Sequence, residues 1–212
     1  DPVAELIGVA HSNSERLSGL IDDILDFSKL DSEQLEFNAK EEELGALLQR
    51  SVAANQGYAT KLERSLNFSS TSEFDAVVLS LDGRRFEQVL SNLISNAVKY
   101  SPAEAPVLVR GLVHEGTPRI EVRDSGPGIP LEFQDHLFEP FSQGAVAPLV
   151  GRQQQGSTGL GLSIARKLTL KLGGLLSFET SEAGTCFFLD FPGPRNEEAG
   201  LGQRESGAEP AA

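Results

Sequence analysis

The sequence predicts an α/β protein, with helices and antiparallel strand pairs interleaved in an open arrangement behind one long bundle helix. Two observations carry this prediction. In the first segment Val3, Ile7, Ala10, Ser14, Leu17, Ile21, Ile24 and Ser28 alternate steps of four and three, the seam of a coiled coil or antiparallel bundle. Leu6, Leu20 and Phe27 widen that seam, so this helix requires a helical partner. From about residue 34 to 192 the period changes, and runs alternating every second residue interleave with helical ones.

The elements follow in order. "LDSEQLEFNAKEEE" ends the first helix, with an extended segment beginning at Gln34 to Asn38. A helix is expected from about Glu43 to Arg64, then a pair of strands near Ser65 to Ser70 and Ala76 to Leu81. A second helix runs from about Gly83 to Tyr100. "APVLVRGLVHEGTPRIEVRDS" is a hairpin over "EGTP", and "LLSFETSEAGTCFFLDF" a second over "SEAG". Between them "GLSIARKLTLKL" has a helical period. The last twenty residues, rich in Gly, Glu and Ala, lack apolar periodicity and are expected to be a disordered tail or linker.

Composition narrows the function. A chain of 212 residues with 39% hydrophobic content has material for one sizeable core. A net charge of -13 opposes a broad electrostatic grip on nucleic acid or anionic membrane, so no nucleic-acid partner is expected. The single Cys186, inside "TCFFLDF", fits a small core residue in a reducing compartment. No apolar run is long enough to span a bilayer and no signal peptide is recognisable, so a cytoplasmic location is expected. The absence of methionine suggests a fragment of a longer product.

Three stretches carry chemistry. "SNLISNAVKYSP" places Asn92, Asn96 and Lys99 along one side of a helix that is otherwise apolar. By itself such a stripe reads as a solvated edge or a buried amide pair. "RDSGPGIP" puts Asp124 at a strand end, ahead of Gly126 and Gly128 where the chain must turn. "GSTGLGLSIARKL" puts Gly156, Gly159 and Gly161 before a helix, whose unpaired amides and positive dipole end favour phosphate.

In this order the stretches resemble the ATP-binding domain of sensor histidine protein kinases, over roughly residues 34 to 192. "RRFEQVLSNLISNAVKYSP" is similar to that family's asparagine box, "DSGPGIP" to its first glycine box, "LFEPFSQ" to its phenylalanine box and "GSTGLGLSIARKL" to its second glycine box. The resemblance implies a two-layer α/β sandwich, the fold shared by gyrase, heat-shock chaperone, histidine kinase and mismatch-repair ATP-binding domains. Residues 1–33 resemble the second helix of the dimerisation and phosphotransfer hairpin, and 193–212 would be the tail.

The resemblance also implies ligands. Asn96 would be the Mg2+ ligand, a neutral hard donor suited to an ion that keeps mostly water and phosphate oxygens. Asn92 and Lys99 would face the phosphates of ATP or ADP, and Tyr100 would border the nucleotide. Asp124 would accept the adenine amino group, which the 6-oxo group of guanine cannot replace. Gly126, Gly128 and Ile129 would line the base, with Gly126 and Gly128 leaving room for it. Thr158, Gly159, Leu160, Gly161 and Leu162 would lie along the phosphates, and Arg152 is the one cation of the expected lid. Phe138 and Phe141 are expected to pack the lid hinge, and Thr185 to hydrogen-bond near Asp124. A response-regulator receiver domain and a homodimeric parent, membrane-anchored or not, are the implied partners.

One position separates reaction classes. The hydrolases and serine kinases of the superfamily keep a glutamate four residues before the metal asparagine, where this chain has Asn92. That glutamate activates water or a hydroxyl, which are poor nucleophiles at neutral pH. An imidazole is already competent there. The expectation is therefore a kinase for histidine, with no catalytic residue assigned in this chain. His11 lacks the acidic residue and the proline that follow the family's acceptor, so no acceptor is recognisable. Two alternatives stay open, a superfamily ATPase and a nucleotide-free docking module.

Overall fold

Helix α1 (Pro2–Asp31) opens the computed structural model, which describes residues 2–32, 35–142 and 158–192. The expected lid, with Gln143 and Arg152, and the expected tail lie outside the described residues. Val3, Leu6, Ile7, Leu17, Ile21 and Ile24 are all exposed on α1, so its seam has no partner among the described residues. Only its last turns join the rest, where Leu30 is buried in the core and Phe27 packs against it.

The following elements build a sandwich. They are β1 (Lys40–Glu43), α2 (Leu44–Lys61), β2 (Leu66–Ser70), α3 (Ser72–Asp75), β3 (Val78–Leu81) and α4 (Gly83–Tyr100). Then come β4 (Val107–His114), β5 (Thr117–Arg123), α5 (Leu131–Gln134), α6 (Gly161–Lys171), β6 (Leu175–Ser181) and β7 (Gly184–Asp190). A five-stranded sheet has the order β2-β4-β5-β7-β6, parallel only between β2 and β4. Helices α2, α4 and α6 form the second layer, with α4 in the middle touching both others and the sheet.

Helix α4 occupies the centre because its sequence is the most two-sided. Phe86, Val89, Leu90, Leu93, Ile94, Ala97 and Val98 are all buried, at about 1.5–3 kcal/mol for each large side chain removed from water. Its start is fixed by Asp82, whose Oδ1 accepts the Arg85 N–H at 3.1 Å and whose Oδ2 accepts the Asn38 N–H at 2.9 Å. The first hairpin turns through Glu115 and Gly116, at φ 51° and 77°, as a two-residue turn with both centres left-handed requires.

Two expectations need correction. The strands near Ser65 to Ser70 and Ala76 to Leu81 exist but do not pair with each other. β2 pairs with β4, β3 pairs with β1, and the turn of helix α3 separates them. Thr71 caps that turn by accepting the Phe74 N–H, and the fully buried Phe74 ring anchors it to the core. The extended segment also starts later than Gln34 to Asn38, since regular pairing begins at Lys40.

Candidate nucleotide site

The polar side of α4 is the floor of the site. Asn92, Ser95, Asn96, Lys99 and Tyr100 are each half-buried there, behind the apolar face that fixes the helix. Asn92 reaches the start of α6, because a Cβ at Gly161 would stand 3.4 Å from its Oδ1. Helix α6 begins after Leu160 with no side-chain cap, so its first turn presents backbone donors beside Asn92. Leu160 itself is buried, Leu162 packs on the core, and these two contacts hold that end of the helix in place. The Leu160 amide is engaged by Thr158 Oγ1 at 3.0 Å. Gly159, at φ 72°, turns its carbonyl to accept the Phe141 N–H at 3.0 Å.

Eight residues further along α4, about 12 Å at the helical rise, lies Tyr100. Lys99 Nζ sits 5.3 Å from the Tyr100 ring centre, and burial lowers the Lys99 pKa while raising that of Tyr100. An anion beside this ammonium would offset that desolvation. Beyond Tyr100 stands Asp124, a buried carboxylate at the end of β5. Its Oδ1 accepts the N–H groups of Gly126 at 2.8 Å and Thr185 at 3.1 Å. Burial raises the Asp124 pKa above the usual range, against the pull of those two amides. Both of these bonds use Oδ1, which leaves Oδ2 as the acceptor that a ligand could take.

The glycines of this loop have a different use from the one expected. A Cβ at Gly126 would run into the Tyr100 carbonyl, and one at Gly128 into the Ser181 carbonyl of β6. The space they leave is thus filled by protein backbone, which clamps the loop between α4 and β6. Gly128, at φ 75°, also adopts a conformation that suits glycine. Ile129 packs on the core, and its N–H is received by Thr180 Oγ1 at 2.9 Å. Thr180 lies directly opposite Thr185 in the β6–β7 pair, with their hydroxyl oxygens 3.0 Å apart. Sequence reasoning missed Thr180, although the two-residue hairpin turn fixes that register.

Other candidates are placed as follows. Phe138 packs edge-on against Phe178 at 5.9 Å, while Phe141 is exposed and meets Phe27 of α1 at 6.5 Å. His11 lies within α1, and His136 is fully exposed beside Glu139, which raises its pKa. Glu87 pairs with Arg50 at 3.4 Å, on the rim of a cleft of about 620 Å3 between α1, α2 and α4. Asp22, Asp26, Asn55 and Asn92 also line this cleft, so Asn92 stands between it and the start of α6.

A ligand with an anionic end and a flat hydrogen-bonding end suits a floor that runs from a helix N-terminus to a buried carboxylate. Fold and site together define the class, an α/β sandwich for a nucleotide. The chain belongs to the histidine kinase-, DNA gyrase B- and HSP90-like ATPase family, whose model matches residues 81–195. Within that family it carries the ATP-binding catalytic domain of the sensor histidine kinases. It is 34% identical over 193 residues to the sensor protein EvgS of Escherichia coli O157:H7, covering 89% of this chain and 16% of that protein. Against the sensor histidine kinase RcsC of Escherichia coli K12 the identity is 38% over 194 residues, with coverages of 90% and 20%. The chain therefore spans a fifth or less of these relatives' length. Among solved structures, the Acinetobacter baumannii histidine kinase AdeS superposes with a TM-score of 0.69 at 25% identity, covering 88% of this chain and 83% of that one. The histidine kinase ThkA, in complex with response regulator protein TrrA, gives 0.68 at 25% identity, covering 91% and 52%.

Proposed function

We propose that this chain binds Mg-ATP as the catalytic part of a protein that transfers the γ-phosphoryl group to a histidine and then to a response-regulator aspartate. The carrying observation is the meeting of Asn92 with the uncapped start of α6, on the same helix face that leads to Asp124. Asn92, Lys99 and the α6 amides would hold the phosphates, and Asp124 Oδ2 would accept the adenine amino group. Tyr100 and Ile129 would border the base, and Arg152 would reach the phosphates from the lid. The half-buried Asn96 carboxamide fits Mg2+, a hard cation that takes oxygen donors. When bound, Mg2+ would neutralise phosphate charge.

In the transfer an imidazole nitrogen attacks the γ-phosphorus, the bond to the bridging oxygen breaks, and ADP leaves. The protein contributes position and charge, since no general base is needed for a neutral imidazole. An amide at Asn92 disfavours activation of water, so turnover by hydrolysis is expected to be slow. No recognisable acceptor accompanies these residues, so the chain by itself is expected to bind nucleotide without phosphorylating itself. Residues 1–33 would act as half of a dimerisation hairpin, 34–192 as the ATP-binding domain and 193–212 as a linker. The proposed partners are a response-regulator receiver domain, a reading supported by the ThkA structure's response regulator protein TrrA, and a second copy of the chain. The proposed location is cytoplasmic; no described helix is long and apolar enough to cross a membrane.

A thermal melt with and without Mg-ATP tests the ligand. A stabilisation of about 2.7 kcal/mol is expected at a ligand concentration a hundred times Kd. Absence of any shift at millimolar Mg-ATP would overturn the reading, and steady phosphate release abolished by Asn96→Ala would favour an ATPase.

A further inference from the structure

Thr180 stands behind the Asp124 corner, and its hydroxyl meets three partners. Thr180 Oγ1 accepts the Ile129 N–H at 2.9 Å, lies 3.0 Å from Thr185 Oγ1, and is 3.5 Å from the Gly184 carbonyl. A hydroxyl has one proton to give. The Gly184 contact is at the outer limit of a hydrogen bond, whereas the Thr185 contact is near the ideal distance. The better use of the Thr180 proton is therefore the Thr185 oxygen.

That choice fixes the chain's direction. The Ile129 amide donates to Thr180, Thr180 donates to Thr185, and Thr185 keeps its own proton for a further acceptor. Thr185 also donates its N–H to Asp124 Oδ1 at 3.1 Å, so its hydroxyl belongs to the same corner as the carboxylate. The corner then presents an acceptor, Asp124, next to a donor, Thr185. Adenine offers the complementary pair on its edge, the 6-amino donor next to the N1 acceptor. Guanine offers the reverse, a 6-oxo acceptor next to the N1–H donor.

We propose that Thr180 is a positioning residue for adenine specificity, acting through Thr185 by polarising its hydroxyl and by pinning the Gly126–Ile129 loop to β6. This rests on the reading of Asp124 as the adenine acceptor. The loop pin and the proton relay meet in one oxygen atom, so removing that atom undoes both.

The test compares Thr180→Val, Thr180→Ala and Thr180→Ser in the full chain, with ATP and GTP affinities measured by calorimetry and ligand-free melts recorded alongside. Thr180→Val should weaken ATP about tenfold and GTP little, shrinking the ATP to GTP preference, because one hydrogen bond is forfeited only with the correct base. Thr180→Ala, which is smaller than threonine and also lacks the hydroxyl, should give the same ratio and serves if the valine variant melts below the assay temperature. Thr180→Ser should restore the preference to within about twofold. An unchanged ratio in both Thr180→Val and Thr180→Ala, or an equal loss in Thr180→Ser, would overturn the proposal. Failure of the unaltered chain to bind ATP would overturn the nucleotide reading itself.

Discussion

Asp124 shows how a single residue is held between two demands. Burial raises its pKa, while the Gly126 and Thr185 amides favour the carboxylate. In the ligand-free protein a raised acid makes a contribution to stability that is complete below the unfolded pKa and lost as pH rises through the folded value. Adenine binding has the opposite sign, because the ionised form is the acceptor. ATP affinity should therefore be full above the raised pKa and fall as pH drops through it, in a window that opens above about 4. Asp124→Asn keeps the side-chain shape but loses the charge, and should weaken ATP about tenfold or more. Calorimetry across pH checks both, with the variant serving as the reference for titration of ATP itself.

Cys186 gives a second prediction at this scale. It is buried at 3% exposure, and desolvation pushes its thiol up to about 11. At pH 8 about one molecule in a thousand would carry the thiolate. A disulfide reagent should therefore label the folded chain slowly, and rapidly once urea unfolds it. Fast stoichiometric labelling of the native chain would contradict this placement.

At the scale of the element, α4 depends on its first turn. Burial of Asp82 raises its pKa, but the amides of Asn38, Arg85 and Arg84 and the Arg85 charge outweigh that and leave the acid below its ordinary value. The stability it contributes is thus present above its unfolded pKa near 4 and lost as pH falls through the lowered folded value. Asp82→Ala should cost about 1–2 kcal/mol, seen as a lower urea midpoint at pH 7. The difference from the unaltered chain should shrink on acidification. Because α4 carries Asn92, Asn96 and Lys99, the same variant should also weaken nucleotide binding.

For the whole molecule, α1 is the element with unfinished packing. Its end is held by Asp26, which accepts from Gln88 at 2.6 Å and pairs with Arg85 at 3.5 Å, and by Phe27 beneath Lys167. Its seam, from Val3 to Ile24, is exposed. A stripe of that length is expected to take another helix as its cover in solution. Sedimentation should show concentration-dependent self-association, and Leu6→Glu with Leu17→Glu should abolish it while leaving the ATP-dependent melt unchanged. A strictly monomeric chain at high concentration would contradict this.

Helix α4, both hairpins and the bundle helix were legible in the sequence because each owes its form to local periodicity and turn chemistry. Asn92, Asn96, Lys99 and Asp124 stood out as candidates because polar residues on apolar elements are conspicuous. The pairing of β2 with β4 was not, since strands carry no label of their partner and the buried Phe74 decides where the chain turns. Nor was the use of Gly126 and Gly128, because a missing side chain looks the same whether a ligand or a backbone fills the space. The sequence by itself determined the elements and the chemistry each one carries. Only the tertiary structure decided which groups share an atom, as Thr180 does with Ile129 and Thr185, because hydrogen bonds across a sheet depend on register and not on order along the chain.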